Sequence, residues 1–406
     1  MLLAIATCAA AATEAASQDR SLVLNNQLQL GDVIAGQTLH VEGADDQITV
    51  SNSATGNSVA GAVVGGAIEF RNVQHLNANV RATTTPAPGG GEIGGAVNAT
   101  TQANGNYASA AGYGADAAVD SDQRVGPYEI EAATSITGGT VRLLSGAYVN
   151  ASAAANIMAL GGENTHVSGA VHQLNEASVR ASNLAETQYI PAEAVFSSTA
   201  IGNTAASNGT GASSAYLYVG QRSTGGVVVA DTSANAGNAW DLSGTAAATA
   251  NQAVIANDGG SVVARTQQEN FSQVRSTAIV TSYDYGVARA AARGAGNAVS
   301  VGNDDLYLEL DNSQISTGGV DVHASFAGTN GYDAYVSAEA VGNSVTGYAC
   351  AQCQATMTVN NSQINEGAVS ATANATINGG GRAVIIGTNA VGNAANFYVS
   401  RPNGGN

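Results

Sequence analysis

This chain of 406 residues contains no lysine: all 13 of its basic residues are arginine, set against 30 acids for a net charge of −17. A polymer of that sign repels nucleic acid and anionic lipid, so both are excluded as partners. Charged residues of either sign make up only 11% of the chain, where about 25% is usual. The surface must therefore be covered by uncharged polar groups. There are five prolines and one tryptophan. A zinc site normally needs four ligands and Cys350-Ala-Gln-Cys353 has no second Cys pair to complete one, nor does it have the βαβ setting of a redox motif. A local disulfide between Cys350 and Cys353 is the expectation that remains in an oxidising compartment. No apolar run reaches the ~18–20 residues that a membrane-spanning helix needs.

What is present in excess is glycine, 50 residues, together with Ala, Asn, Ser, Thr and Val. The start, Met1-Leu-Leu-Ala-Ile-Ala-Thr-Cys-Ala-Ala-Ala-Ala12, has the length of a secretory h-region and ends in an Ala10-x-Ala12 cleavage pattern, though no basic residue precedes Arg20. Residues 1–17 are read as a signal-peptide-like segment and 18–406 as a single repetitive domain.

The repeat carries most of the information. Ala-x-Gly-Asn occurs at Ala54–Asn57, Ala103–Asn106, Ala200–Asn203, Ala340–Asn343 and Ala390–Asn393, with close variants ending at Asn156, Asn251 and Asn297. The eight asparagines, Asn57, Asn106, Asn156, Asn203, Asn251, Asn297, Asn343 and Asn393, are separated by 46 to 50 residues. An aliphatic-x-small landmark keeps the same period: Val33, Val80, Ile130, Val179, Val227, Val274, Val320 and Val369. The two landmarks interleave at about half a unit.

Segments before the asparagines alternate apolar and polar, as in Val336-Ser-Ala338-Glu-Ala340 and Leu306-Tyr-Leu308-Glu-Leu310. That is the pattern of strands with one buried face, and Gly, Asn, Asp and Ser clusters between them supply turns. Short strands with inward Val and Ala bury themselves only by stacking on copies. The expected fold is all-β, a β-solenoid (parallel β-helix-like) of about eight ~48-residue repeats, each of two ~24-residue coils. Sixteen coils at ~4.8 Å would give a rod of ~75–80 Å. The motif glycine is expected to take a positive φ at a corner. The repeat asparagines are expected to form one line along the rod, bonded to backbone groups. An eight-bladed propeller is the weaker fold alternative.

No catalytic constellation emerges. His40, His75, His166, His172 and His323 have no metal or nucleophile spacing, and HExxH and GxSxG are absent. Asp45-Asp46, Asp120-x-Asp122 and Asp304-Asp305 lie in turn-like sequence. The EF-hand loop and the Gly-Gly-x-Gly-x-Asp nonapeptide are missing. The chain is thus read as a non-enzyme without cofactor, metal or nameable binding residues. Fourteen tyrosines, several in close pairs such as Tyr216/Tyr218, Tyr283/Tyr285 and Tyr332/Tyr335, suit carbohydrate or protein surfaces.

A signal-like start, an acidic Ala/Gly/Asn/Val-rich chain and Ala-Val-Gly-Asn units running to Asn393 together resemble the holdfast anchor protein D (HfaD) family of stalked alphaproteobacteria. The resemblance covers residues ~20–406. It implies a secreted cell-surface protein associated with the outer membrane, which tethers an adhesive holdfast polysaccharide alongside the sister anchor proteins A and B. Gly387-Thr-Asn-Ala-Val-Gly-Asn393-Ala also resembles curli-type fibre repeats, but those are shorter and carry a regular Gln, which this chain is read as lacking. Two other function classes stand beside the anchor: a polysaccharide-active enzyme on a β-helix, and a self-associating, curli-like fibre subunit.

Overall fold

In a computed structural model, residues 20–88, 91–138, 140–305, 307–350 and 355–399 are described, and among them every regular element is a strand. All strand pairings are parallel and connect into one twenty-stranded sheet. The chain is a β-solenoid, and its architecture follows from the alternation: inward residues stack on the inward residues of the next coil, and outward polar residues face water.

The coil has a different size from that read in the sequence. Arg20 pairs with Ala67, Val179 with Val228 and Tyr307 with Thr356, offsets of 47 to 49 residues. One coil is therefore the whole ~48-residue unit, not half of it. The reason is chemical matching. In-register parallel stacking places each residue on its equivalent, and a half-unit offset would set the asparagine landmark on the valine landmark. The rod has about eight coils and a height of roughly 35–40 Å.

A central coil shows the plan. The long strand Val227–Asn257 is followed by the short strand Ser261–Asn270. Val228 to Ala230 are buried in succession, and from Ala230 through Thr232, Ala234 and Ala236 every second side chain is buried. Gly237 and Trp240 drop out of the pairing ladder, without a change of register, where the chain turns a corner. Alternation resumes through Leu242, Ala246 and Ala248. It then inverts phase: Ala250 and Asn251 are both buried, one after the other. Ala253 and Ile255 continue in the new phase and face Val262 and Ala264 of the short strand. The interior is consequently two hydrophobic columns. The larger one lies between the limbs before the asparagine; the smaller lies between the limb after it and the short strand.

Two local readings change. The valine landmark of the fifth unit is Val228, which pairs with Val179 and Val274, rather than its neighbour Val227. The glycine before the repeat asparagine has no positive φ at positions 56, 105, 202, 296 or 342. It serves close approach instead: a Cβ at Gly202 or Gly296 would lie 2.5 Å from a carbonyl oxygen of the next coil. Ala155 and Ala250 show that two coils leave enough room for a methyl group there.

Candidate functional site

The buried polar residues define the molecule's spine. Asn57, Asn106, Asn156, Asn203, Asn251, Asn297, Asn343 and Asn393 pair in register from coil to coil. Each side-chain Nδ2 donates to the Oδ1 of the next asparagine at 2.7–2.8 Å, in a file running from Asn57 to Asn393. The same nitrogen also donates across the interior to a carbonyl on the short-strand wall, as Asn156 does to Leu174 and Asn251 to Glu269, both at 2.9 Å. These asparagines thus bond one another as well as backbone.

A second file answers from the opposite wall. Gln27, Gln74, Gln123, Gln173, Gln221, Gln268, Gln314 and Gln363 stack in register, each donating to the glutamine of the preceding coil at 2.7–2.8 Å. Each also donates to the carbonyl just after a repeat asparagine, as Gln221 does to Gln252 and Gln268 to Ala298. The two files run with opposite donor directions and close the waist between the hydrophobic columns. The regular glutamine judged absent is therefore present, at spacings of 46 to 50 residues. The aligned pair Asn312-Ser-Gln-Ile315 and Asn361-Ser-Gln-Ile364 carried its signal.

The residues that could meet a ligand lie outside this spine, at the corner where the pairing ladder of the long strand is interrupted. There an open groove of about 860 Å³ runs along the rod. It crosses successive coils at Tyr189, Trp240, Tyr285, Tyr332 and Arg382. Trp240 and Tyr332 are more than half exposed and meet edge to face, with ring centroids 6.0 Å apart. The Arg382 guanidinium sits 5.6 Å from the Tyr332 ring centre. It is held by Asp333, donating from Nε to Oδ1 at 2.9 Å and making a second contact from its terminal nitrogen. This Arg382 bond holds the Asp333 carboxyl below the usual carboxylate range and raises the guanidinium in turn. Asn330 donates to Asp284 at 3.2 Å on the groove wall.

Tyr285 forms the floor. It is 4% exposed, packs edge to face on Phe326 and has no hydrogen-bond partner for its hydroxyl. Burial, with the nearby Asp333 charge second, pushes that phenol above its ordinary pKa. Small residues keep the groove open: a Cβ at Gly331 would strike the Tyr285 ring at 2.5 Å, and one at Gly381 would stand 3.7 Å from its hydroxyl.

Other residues singled out in the sequence are dispersed. Tyr216 and Tyr218 lie on the short-strand wall, each tilted against a histidine, His166 at 4.9 Å and His172 at 5.2 Å. Tyr335 lies beside Arg289. Asp122 pairs with Arg124 at 2.8 Å, and the Asp304 carboxylate receives the Tyr348 hydroxyl. Asp45, Asp46 and Asp120 are exposed. Among the described residues, no three His, Cys, Asp or Glu converge on a point, and no helix is long and apolar enough to cross a membrane. Cys350 is buried and disulfide-bonded; Cys353 and the signal-like segment lie outside the described residues. Tyr189 and Trp240 were not anticipated as groove residues, because only the corner geometry brings them beside Tyr285 and Tyr332.

Fold and site together define a parallel β-solenoid, stiffened by two internal amide files and bearing an aromatic-lined outer groove. The chain belongs to the holdfast attachment protein D (HfaD) family, whose model matches residues 41–319. Holdfast attachment implies a place at the cell surface and a part in adhesion. No curated protein and no solved structure matches the chain.

Proposed function

We propose that this chain is a non-enzymatic anchor that holds an adhesive polysaccharide to the outer membrane, in company with sister anchor proteins. The family match carries this reading. The construction of the chain supports it. A tether needs a body that does not deform, and the in-register amide files tie every coil to its neighbours and each wall to the opposite one. The groove offers exposed aromatic faces and uncharged polar groups, the surface type suited to sugars. The acidic, lysine-free composition suits a soluble life outside the cell.

The test is genetic and mechanical. Deleting the gene in a cell that makes a holdfast should leave the polysaccharide synthesised but shed into the medium under shear, scored by staining both cells and supernatant. Adhesive that stays on the deleted cells at the normal level would refute the anchor reading.

A further inference from the structure

We infer that the groove along Tyr189, Trp240, Tyr285 and Tyr332 is a binding cleft for an uncharged pyranose chain, seated lengthwise along the rod; this rests on the reading of the protein as a polysaccharide anchor and names the ligand class of its contact site. Three independent observations carry it. The first is shape. The cleft is an open trough rather than a closed cavity, and its wall repeats once per coil, about 4.8 Å, close to the length of one pyranose unit. A linear glycan therefore passes one coil of the wall with each successive sugar.

The second is chemistry. Trp240 and Tyr332 are more than half exposed, and aromatic rings of this kind take the C–H face of a pyranose while its hydroxyls point sideways to polar groups. Such groups line the same trough: Asn238, Asn330 and Asp284. The Tyr285 hydroxyl, buried and without a partner, stands on the floor beside Gly381. A buried hydroxyl left unpaired is unfavourable, and a sugar hydroxyl can both donate to it and accept from it.

The third is charge. Among the described residues that line the trough one is a cation, Arg382, already neutralised by Asp333, and Asp284 adds a carboxylate. In a chain of net charge −17 this leaves nothing to hold a uronate or sulfated sugar.

Trp240 is the chain's single tryptophan, so its fluorescence reports this cleft alone. The full chain is titrated with neutral hexasaccharides, glucose-, mannose- and N-acetylhexosamine-based, and with a hexauronate. At least one neutral chain should change the emission saturably, and the hexauronate should bind at least ten-fold more weakly. Tyr332→Ala, at an exposed position, should weaken binding ten-fold or more with an unchanged unfolding midpoint. Tyr285→Phe should weaken it several-fold, whereas a hydroxyl of purely structural effect would leave binding unmoved. Tyr216→Ala, on the short-strand wall, should bind normally. Absence of any saturable response to the neutral set, equal or tighter binding of the hexauronate, or unchanged affinity in Tyr332→Ala would each overturn the assignment. If the gene deletion nevertheless sheds adhesive, the anchor reading stands and only the cleft falls.

Discussion

A repeat asparagine is worth more than its spacing suggests, because it is buried with every hydrogen-bonding group engaged. Asn297 accepts from Asn251, donates to Asn343 and donates again to the Ile315 carbonyl, each at 2.8 Å. Leucine at this position occupies a similar volume but leaves the Asn251 donor and the Asn343 acceptor facing a methyl group. Unpaired buried polar groups cost ~1–3 kcal/mol each, so Asn297→Leu should destabilise the chain by about 3 kcal/mol or more in chemical denaturation. Asp120→Ala, at an exposed carboxylate, should move the midpoint by no more than ~0.5 kcal/mol. A midpoint for Asn297→Leu indistinguishable from the parent would show that the amide file contributes nothing. Position was legible in the sequence because asparagine is chemically distinctive and recurs. The partner was not, because a column of like residues says nothing of which side chains face each other across the interior.

At the scale of strands and corners, the sequence revealed alternation and missed curvature. The buried face of Ala230, Thr232, Ala234 and Ala236 is a simple period of two. The inversion at Ala250-Asn251, which turns the long limb toward the short strand, reads on paper as one more apolar–polar step. Valine and asparagine landmarks a half-unit apart look like two stacked strands, whereas they lie on different limbs of one coil. The glutamine file was hidden for a related reason. Its residues alternate with less buried ones along their strands and lack the glycine that made the asparagine motif conspicuous. The groove belongs to this scale as well, since one corner brings Asp333 of strand Val320–Ala349 beside Arg382, just before strand Ala383–Val399. Its pH response follows from the sign of the shift. The folded Asp333 carboxyl lies below its unfolded value of ~3.9, so the Arg382 contact stabilises the folded corner at pH above that value and is lost as pH falls through the lower, folded value. Emission from Trp240 should therefore stay flat from pH 8 to pH 5 and shift only in more acid solution. Asp333→Asn should abolish that acid step, and an unchanged step in the variant would assign it to another carboxylate.

For the molecule as a whole, the coil of ~48 residues makes a prediction that a coil of ~24 would not. In a stack whose stability is a sum of coil terms and neighbour terms, removing one complete coil leaves every remaining interface chemically matched. Deletion of residues 228–273 joins Val227 to Val274 and places Val227 where Gln273 stood, because those two positions are equivalent in the register. The valine column then runs from Val179 to Val274, and Asn203 donates to Asn297. The shortened chain should keep its strand circular dichroism and a single cooperative unfolding transition, lower in stability by one coil's contribution. It should also lose the tryptophan signal, since Trp240 leaves with the coil. Deletion of residues 251–273 removes about half as much chain and should do far more damage. Val274 then takes the place of Asn251, so the Asn203 donor faces a valine. Every later coil is shifted by half a turn against those before it, and both amide files are cut. The neighbour terms across that plane are lost together, and the chain should split into two independently melting segments or fail to fold. Equal tolerance of the two deletions would mean that the half-unit is the true coil and that the stacking register described here is wrong.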